Sequence, residues 1–317
     1  MDSPSTLALR QAVKSFGVQH LRDARQVAVA VSGGADSLAL VAAAVAQGWA
    51  VTALIVDHGL QQDSAEVAGR ARNQALALGC HAALVLSVIV DGAGGLEAAA
   101  RDARYAALRE ARDGLPVLLA HTLDDQAETV LLGLGRGSGG RSIAGMRPWD
   151  DPWGRPLLDI RRTETRASCA ELGLTPWEDP HNVDSRFVRV RLRHEVLPLL
   201  EQVLGGGVAE ALARTAASLR DDGDALDEQA RATFTGAERL AISGLRDRAP
   251  AVRRRVLRLW LLAGGAQDLN DSQIRAVDAL VVQWRGQGGV AVGADLPYQR
   301  LVASRSGDHL VLSIHDV

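Results

Sequence analysis

Val27-Ala28-Val29-Ala30-Val31-Ser32-Gly33-Gly34-Ala35-Asp36-Ser37-Leu38-Ala39-Leu40-Val41-Ala42-Ala43-Ala44 decides how this chain folds. Residues 27–31 are an apolar run of the kind that fills a parallel strand buried on both faces. Residues 38–44 read as a helix, so the segment between them is a glycine turn that opens a helix. Such a turn offers unpaired backbone N–H groups and the positive end of a helix dipole to an anion. Its two glycines permit positive φ and close approach of a phosphate. Asp36 is placed to hold Mg²⁺ there, and Ser32 and Ser37 to donate to phosphate oxygens.

The same alternation continues outward. Residues 51–56, 82–90 and 115–120 read as strands, and residues 63–78, 97–112 and 124–134 as helices. This is a βαβ series, hence an α/β fold with an open parallel sheet and helices on both faces. Ligands of such sheets sit beyond the carboxyl ends of the strands. Ser32 to Ser37, Asp57-His58-Gly59 and His121 all fall there. Residues 136–145 are rich in Gly and Ser and read as a mobile loop. At Gly205-Gly206-Gly207 the pattern changes, which predicts a division into residues 1–204 and 205–317. The second part is smaller and mainly helical, with helices over 208–232, 250–262 and 271–284. Strands over 290–292, 298–302 and 309–314 give it a short terminal sheet.

Composition narrows the function classes. A chain of 317 residues with 47% hydrophobic content can bury the cores of two domains. No apolar run reaches the about 18 residues of a membrane span, and no signal-peptide pattern opens the chain. Cys80 and Cys169 are the only cysteines. That points to a reducing cytosol and away from an iron–sulfur cluster or a Cys-rich zinc site. With a net charge of −3 the protein is no bulk polycation, so any nucleic acid must be held by local patches. Lys14 is the one lysine, and the rest of the positive charge is Arg, which suits phosphate forks.

The second chemical signal is His121-Thr122-Leu123-Asp124-Asp125-Gln126-Ala127-Glu128-Thr129. Thr122 reads as an N-cap, with His121 ending a strand and Asp124, Asp125 and Glu128 in the first turns of a helix. Acids in that position are ordinarily dipole partners. Their place at the sheet's carboxyl edge also fits a site for a cation, either Mg²⁺ or an amine. Glu97, Arg101 and Arg104 share one helix face, as a solvated ion-pair ladder or as a site wall. Arg186, Arg189, Arg191 and Arg193 form one dense basic stretch, and Arg253, Arg254, Arg255 and Arg258 another.

The Ser32–Ser37 hexapeptide is neither a Walker A loop nor GxGxxG. It resembles the SGGxDS pyrophosphate loop of the N-type ATP pyrophosphatases, whose fold is adenine nucleotide alpha hydrolase-like. Together the motifs are similar in order and spacing to those of the tRNA(Ile)-lysidine synthetase family. After SGGxDS that family has DHGL, here Asp57-His58-Gly59-Leu60, then ExxxRxxRY, here residues 97–105. The His121–Thr129 stretch follows, then an Arg-Gly-Ser-Gly loop at Arg136-Gly137-Ser138-Gly139 and Gly145-Met146. Arg155-Pro156-Leu157-Leu158 matches its RPLL. Glu178-Asp179-Pro180-His181-Asn182 and residues 189–198 resemble its EDxSN and RNxIRxxxLP. Val190 stands where the family usually has Asn, and His181 where it often has Ser or Thr. The resemblance is strong over residues 25–200 and weak in the last third.

The resemblance implies a ligase. ATP adenylates the 2-carbonyl oxygen of the wobble cytidine of an isoleucine tRNA, and the ε-amine of free lysine then displaces AMP. It implies ATP at Ser32, Gly33, Gly34, Ala35, Asp36, Ser37, Asp57 and His58, with Mg²⁺ on Asp36. It implies catalysis by Asp36, His121, Asp125 and Glu128. Lysine falls to Arg101, Arg104, Asp125 and Glu128, since an amino acid needs an acid for its amine and a cation for its carboxylate. tRNA falls to Arg186, Arg189, Arg191, Arg193, Arg253 and Arg254. The expected partners are tRNA(Ile) with a CAU anticodon and free L-lysine, with no membrane. A homodimer is left open, and the expected location is the cytoplasm. A tRNA thiolase is the rival enzyme, disfavoured by the lack of paired cysteines. A nonenzymatic ATP sensor is the rival of another class, disfavoured by the intact acids.

Overall fold

The structure is a computed structural model that describes residues 3–22, 24–59, 63–90, 95–137, 139–294 and 298–316. Leu60 and Ser138, both quoted in the motifs above, lie outside the described residues, as does the side chain of Glu97. The chain divides into two compact units. One comprises Met1–Leu132 and Gly145–Arg214, the other Gly133–Ala144 and Thr215–Val317.

The first unit is built on a six-stranded sheet in the order β3-β2-β1-β4-β6-β5. The strands are β1 (Gln26–Ala30), β2 (Ala50–Asp57), β3 (Ala82–Ser87), β4 (Val117–Leu118), β5 (Trp149–Asp150) and β6 (Trp153–Gly154). All pairings are parallel except that of β5 with β6. The sheet is therefore mostly parallel, and it carries an antiparallel edge that the sequence pattern does not announce. β3 stops at Ser87, short of residue 90, because its neighbour β2 ends at Asp57, the residue paired with Ser87. β4 begins only at Val117, because Pro116 has no N–H to give a ladder, and it ends at Leu118, short of residue 120.

Alternation along the strands sends side chains to two covered faces. Val27, Val29, Val51, Ala53 and Ile55 pack with Leu9, Val13 and Phe16 of helix α1 (Pro4–Phe16) and Leu38 and Val41 of helix α2 (Ala35–Val45). Helix α3 (Ser64–Ala77) adds Ala68, Ala71 and Ala75 to the same cluster. Ala28, Leu54, Val117 and Leu119 face the other way, onto Leu108 of helix α4 (Leu96–Ala111). Helix α5 (Leu123–Arg136) follows β4. The chain runs from β1 outward to β2 and β3, then returns to β4 on the other side of β1. That reversal opens a crevice at the carboxyl ends of β1 and β4.

In the second unit a four-stranded antiparallel sheet has the order β7-β10-β9-β8. Its strands are β7 (Leu240–Ala241), β8 (Val290–Val292), β9 (Gln299–Ser306) and β10 (His309–Asp316). The helices Pro250–Ala263 and Asp271–Val282 cover it, with Val256, Leu257, Trp260, Val277 and Val281 in the core. The Trp260 indole N–H donates to the Glu238 carbonyl at 3.0 Å. Asn270 and Gln273 form a reciprocal cap at the start of the second helix. The 26-residue helix Val208–Thr233 crosses from the first unit's residues into the second's. Among the described residues no single helix is long and apolar enough to cross a membrane.

One expectation is corrected here. Arg253 is 5% exposed, and its Nε lies 2.5 Å from an Asp278 oxygen inside the helix pair. It also donates to the Arg248 carbonyl at 2.7 Å. A guanidinium so committed cannot meet RNA. The helical spacing that made it look like a surface charge also turns it inward beside Asp278. Arg254 shares Asp278 at 3.0 Å from a more open position. Removing one partner of a buried ion pair strands the other charge, which costs about 3–5 kcal/mol. Asp278→Ala is therefore expected to lower the melting temperature well beyond a surface change, measured by calorimetry on the full chain.

Candidate active site

The loop after β1 is ordered by its own polar groups. Gly34 takes the N-cap position of α2, and Gly33 sits at φ 82°, a conformation open to glycine. The Ser37 hydroxyl donates to the Gly34 carbonyl at 2.9 Å and receives the Ser32 N–H at 3.2 Å. The Trp177 N–H donates to the Gly33 carbonyl at 2.9 Å and ties the Glu178-Asp179-Pro180-His181-Asn182 segment to the loop. A cavity of about 400 Å³ opens beside it. Ser32, Asp36 and Ser37 form one wall, Asp57, His58 and Arg104 another, with His121, Asp179 and His181. Val31, Leu54, Val67 and Leu108 give it an apolar lining. An apolar slot next to a ring of N–H and hydroxyl donors suits a nucleotide.

Thr122 caps α5 as its sequence suggests. Its N–H and hydroxyl both donate to Asp125 Oδ2 at 2.8 Å, and Asp125 N–H returns to the hydroxyl at 3.4 Å. Asp125 Oδ1 lies 2.5 Å from Arg162 Nη2. Asp125 is thus both part of the helix cap and the ion-pair partner of Arg162. Burial works against its charge, but Arg162, Thr122 and His121 outweigh it and hold its pKa below the usual range.

Arg162 is the residue that the sequence reading missed. It opens the helix Arg162–Glu171, and its backbone N–H donates to Asp124 Oδ2 at 2.8 Å. Its guanidinium reaches Asp36 at 3.4 Å and Glu128 at 3.5 Å as well as Asp125. Burial alone would lower its pKa, and the facing acids raise it instead. Asp36 also accepts from the Thr165 hydroxyl. Burial dominates at Asp36 and pushes its pKa up. The neighbouring Arg161 grips Glu210 through two bonds of 2.6 and 2.7 Å. The signal available was the Arg161-Arg162 doublet just after Arg155-Pro156-Leu157-Leu158.

Glu128 has no exposed surface. Arg193 closes over it with bonds of 2.8 and 3.2 Å, and Arg189 comes within 3.9 Å. Arg189 and Arg193, expected on RNA, therefore face the acids, whereas Arg186 and Arg191 point outward and pair locally with Asp184 and Glu195. Arg104 reaches the cavity, while exposed Arg101 lies over the Tyr105 ring.

His121 is half-buried, with Asp125 and the charges of Arg155, Arg104 and Arg101 around it. Burial first, then the arginines, lowers its pKa to about 4. Its Nδ1 and that of His58 are buried without a hydrogen-bond partner among the described residues. Cys80 and Cys169 are buried, and burial pushes both thiols up to about 11. Among the described residues no three His, Cys, Asp or Glu side chains gather as a metal cluster.

Comparison with known proteins accords with this geometry. Residues 2–200 match the family model of a PP-loop domain, and residues 240–310 that of a TilS substrate binding domain. The tRNA(Ile)-lysidine synthase of Rhodococcus erythropolis is 63% identical over 99% of this chain and 98% of its own. The chain belongs to the tRNA(Ile)-lysidine synthase family. The Mycobacterium tuberculosis tRNA(Ile)-lysidine synthase is likewise 63% identical, over 98% of each chain. The fold also matches the U34-tRNA thiolase NcsA of Methanococcus maripaludis, with a TM-score of 0.54. That likeness covers 68% of this chain and 79% of the thiolase at 19% identity. The thiolase is described with a [4Fe-4S] cluster, and the family's chain here has two cysteines, both buried.

The neutral His121 gives a pH test. Its folded pKa, about 4, lies below the unfolded value of about 6.5. As pH falls from 6.5 toward 4, the unfolded chain binds the proton first, so stability drops in that window and levels off below it. Melting curves of His121→Asn should lose less stability than the parent between pH 7 and pH 5.

Proposed function

We propose that this protein joins free L-lysine to C2 of the wobble cytidine in the CAU anticodon of tRNA(Ile), converting ATP to AMP and pyrophosphate. The observation that carries the reading is the convergence of the Ser32–Ser37 loop, His58, Asp36 and His121 on one nucleotide-sized cavity in a chain of this family. Gly33, Gly34 and Ala35 offer N–H groups to the polyphosphate, and Ser32 and Ser37 offer hydroxyls. Asp57 and His58 border the adenosine side, with Arg104 beside them.

One carboxylate beside a phosphate loop fits the sparse protein ligation of Mg²⁺, which takes one or two carboxylates plus substrate phosphates and waters. Asp36 is that carboxylate. When bound, the ion offsets phosphate charge. The cytidine 2-oxygen attacks the α-phosphate and pyrophosphate leaves. The lysine ε-amine then attacks C2, and AMP departs with the oxygen. Asp125 and Glu128 are the acids nearest the amine's path, and Arg104 serves the lysine carboxylate. Every carboxylate oxygen of those two acids is already bonded. The unpartnered Nδ1 of neutral His121 therefore takes the amine's proton. A wobble base is already unpaired, so presenting it costs little. The setting is the cytoplasm, where tRNA, ATP and lysine meet. A thiolase reading has no support in two buried, high-pKa thiols.

Asp36→Asn keeps an acceptor for Thr165 and removes the charge. It should abolish tRNA-dependent pyrophosphate release with little change in melting temperature. Products of ADP and phosphate from the parent, or full turnover by the variant, would defeat this assignment.

The outward Arg186 and Arg191 are the cations we assign to tRNA phosphates. Arg186→Ala with Arg191→Ala should weaken tRNA binding and lower its salt slope by about 0.7–0.9 per lost contact. Nucleotide affinity should be unaffected, and filter binding across a salt series reads both.

A further inference from the structure

The acids assigned to the lysine amine are neutralised before any amine arrives. Asp125 and Glu128 face Arg162 and Arg193, with Arg189 behind Glu128 and His121 beside Asp125. A lysine ammonium needs the same oxygens. Each of the four oxygens already faces two donors, which fills its acceptor capacity, so an ammonium gains full access only if one arginine leaves. Among the described residues of this cluster Arg193 touches only Asp125 and Glu128. Arg162 also touches Asp36, which forms part of the nucleotide cavity wall. It is therefore the arginine with another strong anion within reach once a polyphosphate lies in the loop. Its side chain is planar, always charged and suited to phosphate forks.

We propose that Arg162 is a placeholder cation, which occupies the lysine ammonium position until the phosphates of ATP draw it off, so that the nucleotide must bind before lysine. Arg162 is then a positioning residue. It acts on lysine through Asp125 and Glu128 and on the nucleotide through Asp36. The inference rests on the lysine site named under the proposed function. The lysine-competent arrangement is a minor state in the free protein, which weakens apparent lysine affinity by the fraction populated. Nucleotide removes that penalty, and linkage makes the effect reciprocal.

The test is calorimetric titration of lysine into the full-length protein with and without α,β-methylene-ATP. Parent protein should bind lysine on the order of tenfold tighter with the nucleotide. Arg162→Gln should bind lysine equally in both conditions, at least as tightly as the nucleotide-loaded parent. Arg162→Lys should restore a dependence on nucleotide. A parent whose lysine affinity ignores the nucleotide would overturn the placeholder role. So would an Arg162→Gln variant with weakened lysine binding in both conditions. If no form binds lysine in either condition, the lysine-site assignment itself falls. Kinetics of the parent alone give a check that needs no variant. ε-N,N,N-Trimethyllysine, a fixed cation with no lone pair, should inhibit uncompetitively toward ATP, and a competitive pattern would overturn the order.

Discussion

A single guanidinium, that of Arg162, supplies counter-charge to carboxylates from two different strand-to-helix junctions. Asp36 comes from the junction after β1, and Asp125 and Glu128 from the one after β4. These junctions lie at the reversal of the sheet, where backbone ends converge and negative side chains crowd together. Charges withdrawn from water in this way are costly unless paired and hydrogen-bonded. Arg162 and Arg193 meet that requirement. The cluster exists because the helix Arg162–Glu171 delivers its first residue against α2 and α5. Thr165, one turn further, fastens the same helix to Asp36.

Much of the architecture was readable because burial imposes periods. Residues 27–31 could only be a strand covered on both sides, and the structure places Val27 and Val29 on one face and Ala28 on the other. The long helix expected from residue 208 runs from Val208 to Thr233. What escaped has no period to read. β5 and β6 hold two residues each, too few to alternate. The stop of β3 depends on where its neighbour ends, which is a property of pairing and not of its own residues.

The site divides along the same line. The glycine loop and the acids after His121 carry local signatures of helix starts, so their place at the sheet edge followed from order in the chain. Arg162 has no such signature. It stands 126 residues from Asp36, next to a second arginine of identical chemistry that turns instead to Glu210. Arginine-rich segments are equally silent about direction. Within residues 186–193 two arginines look outward and two look into the acids. Arg253 is a core residue although Arg254 and Arg255 beside it are not. Charge type is written in sequence, but charge orientation is decided by packing.

The interleaving of the two units has a practical consequence for dissecting the enzyme. Gly133–Ala144 belongs with Thr215–Val317, where Arg141 pairs with Asp227 at 2.8 Å and Arg220 donates to the Ala144 carbonyl. Residues 205–214 belong with the first unit. There Ala209 and Leu212 pack on Leu123 and Ala127, and Glu210 holds Arg161. No single cut separates the parts. A stop codon at the glycine triplet would expose part of the core under α5 and release Arg161. It would also leave residues 133–144 without their partners. Fragments of this protein report on damaged packing before they report on the division of labour, so single-residue changes in the intact chain are the sound way to assign it.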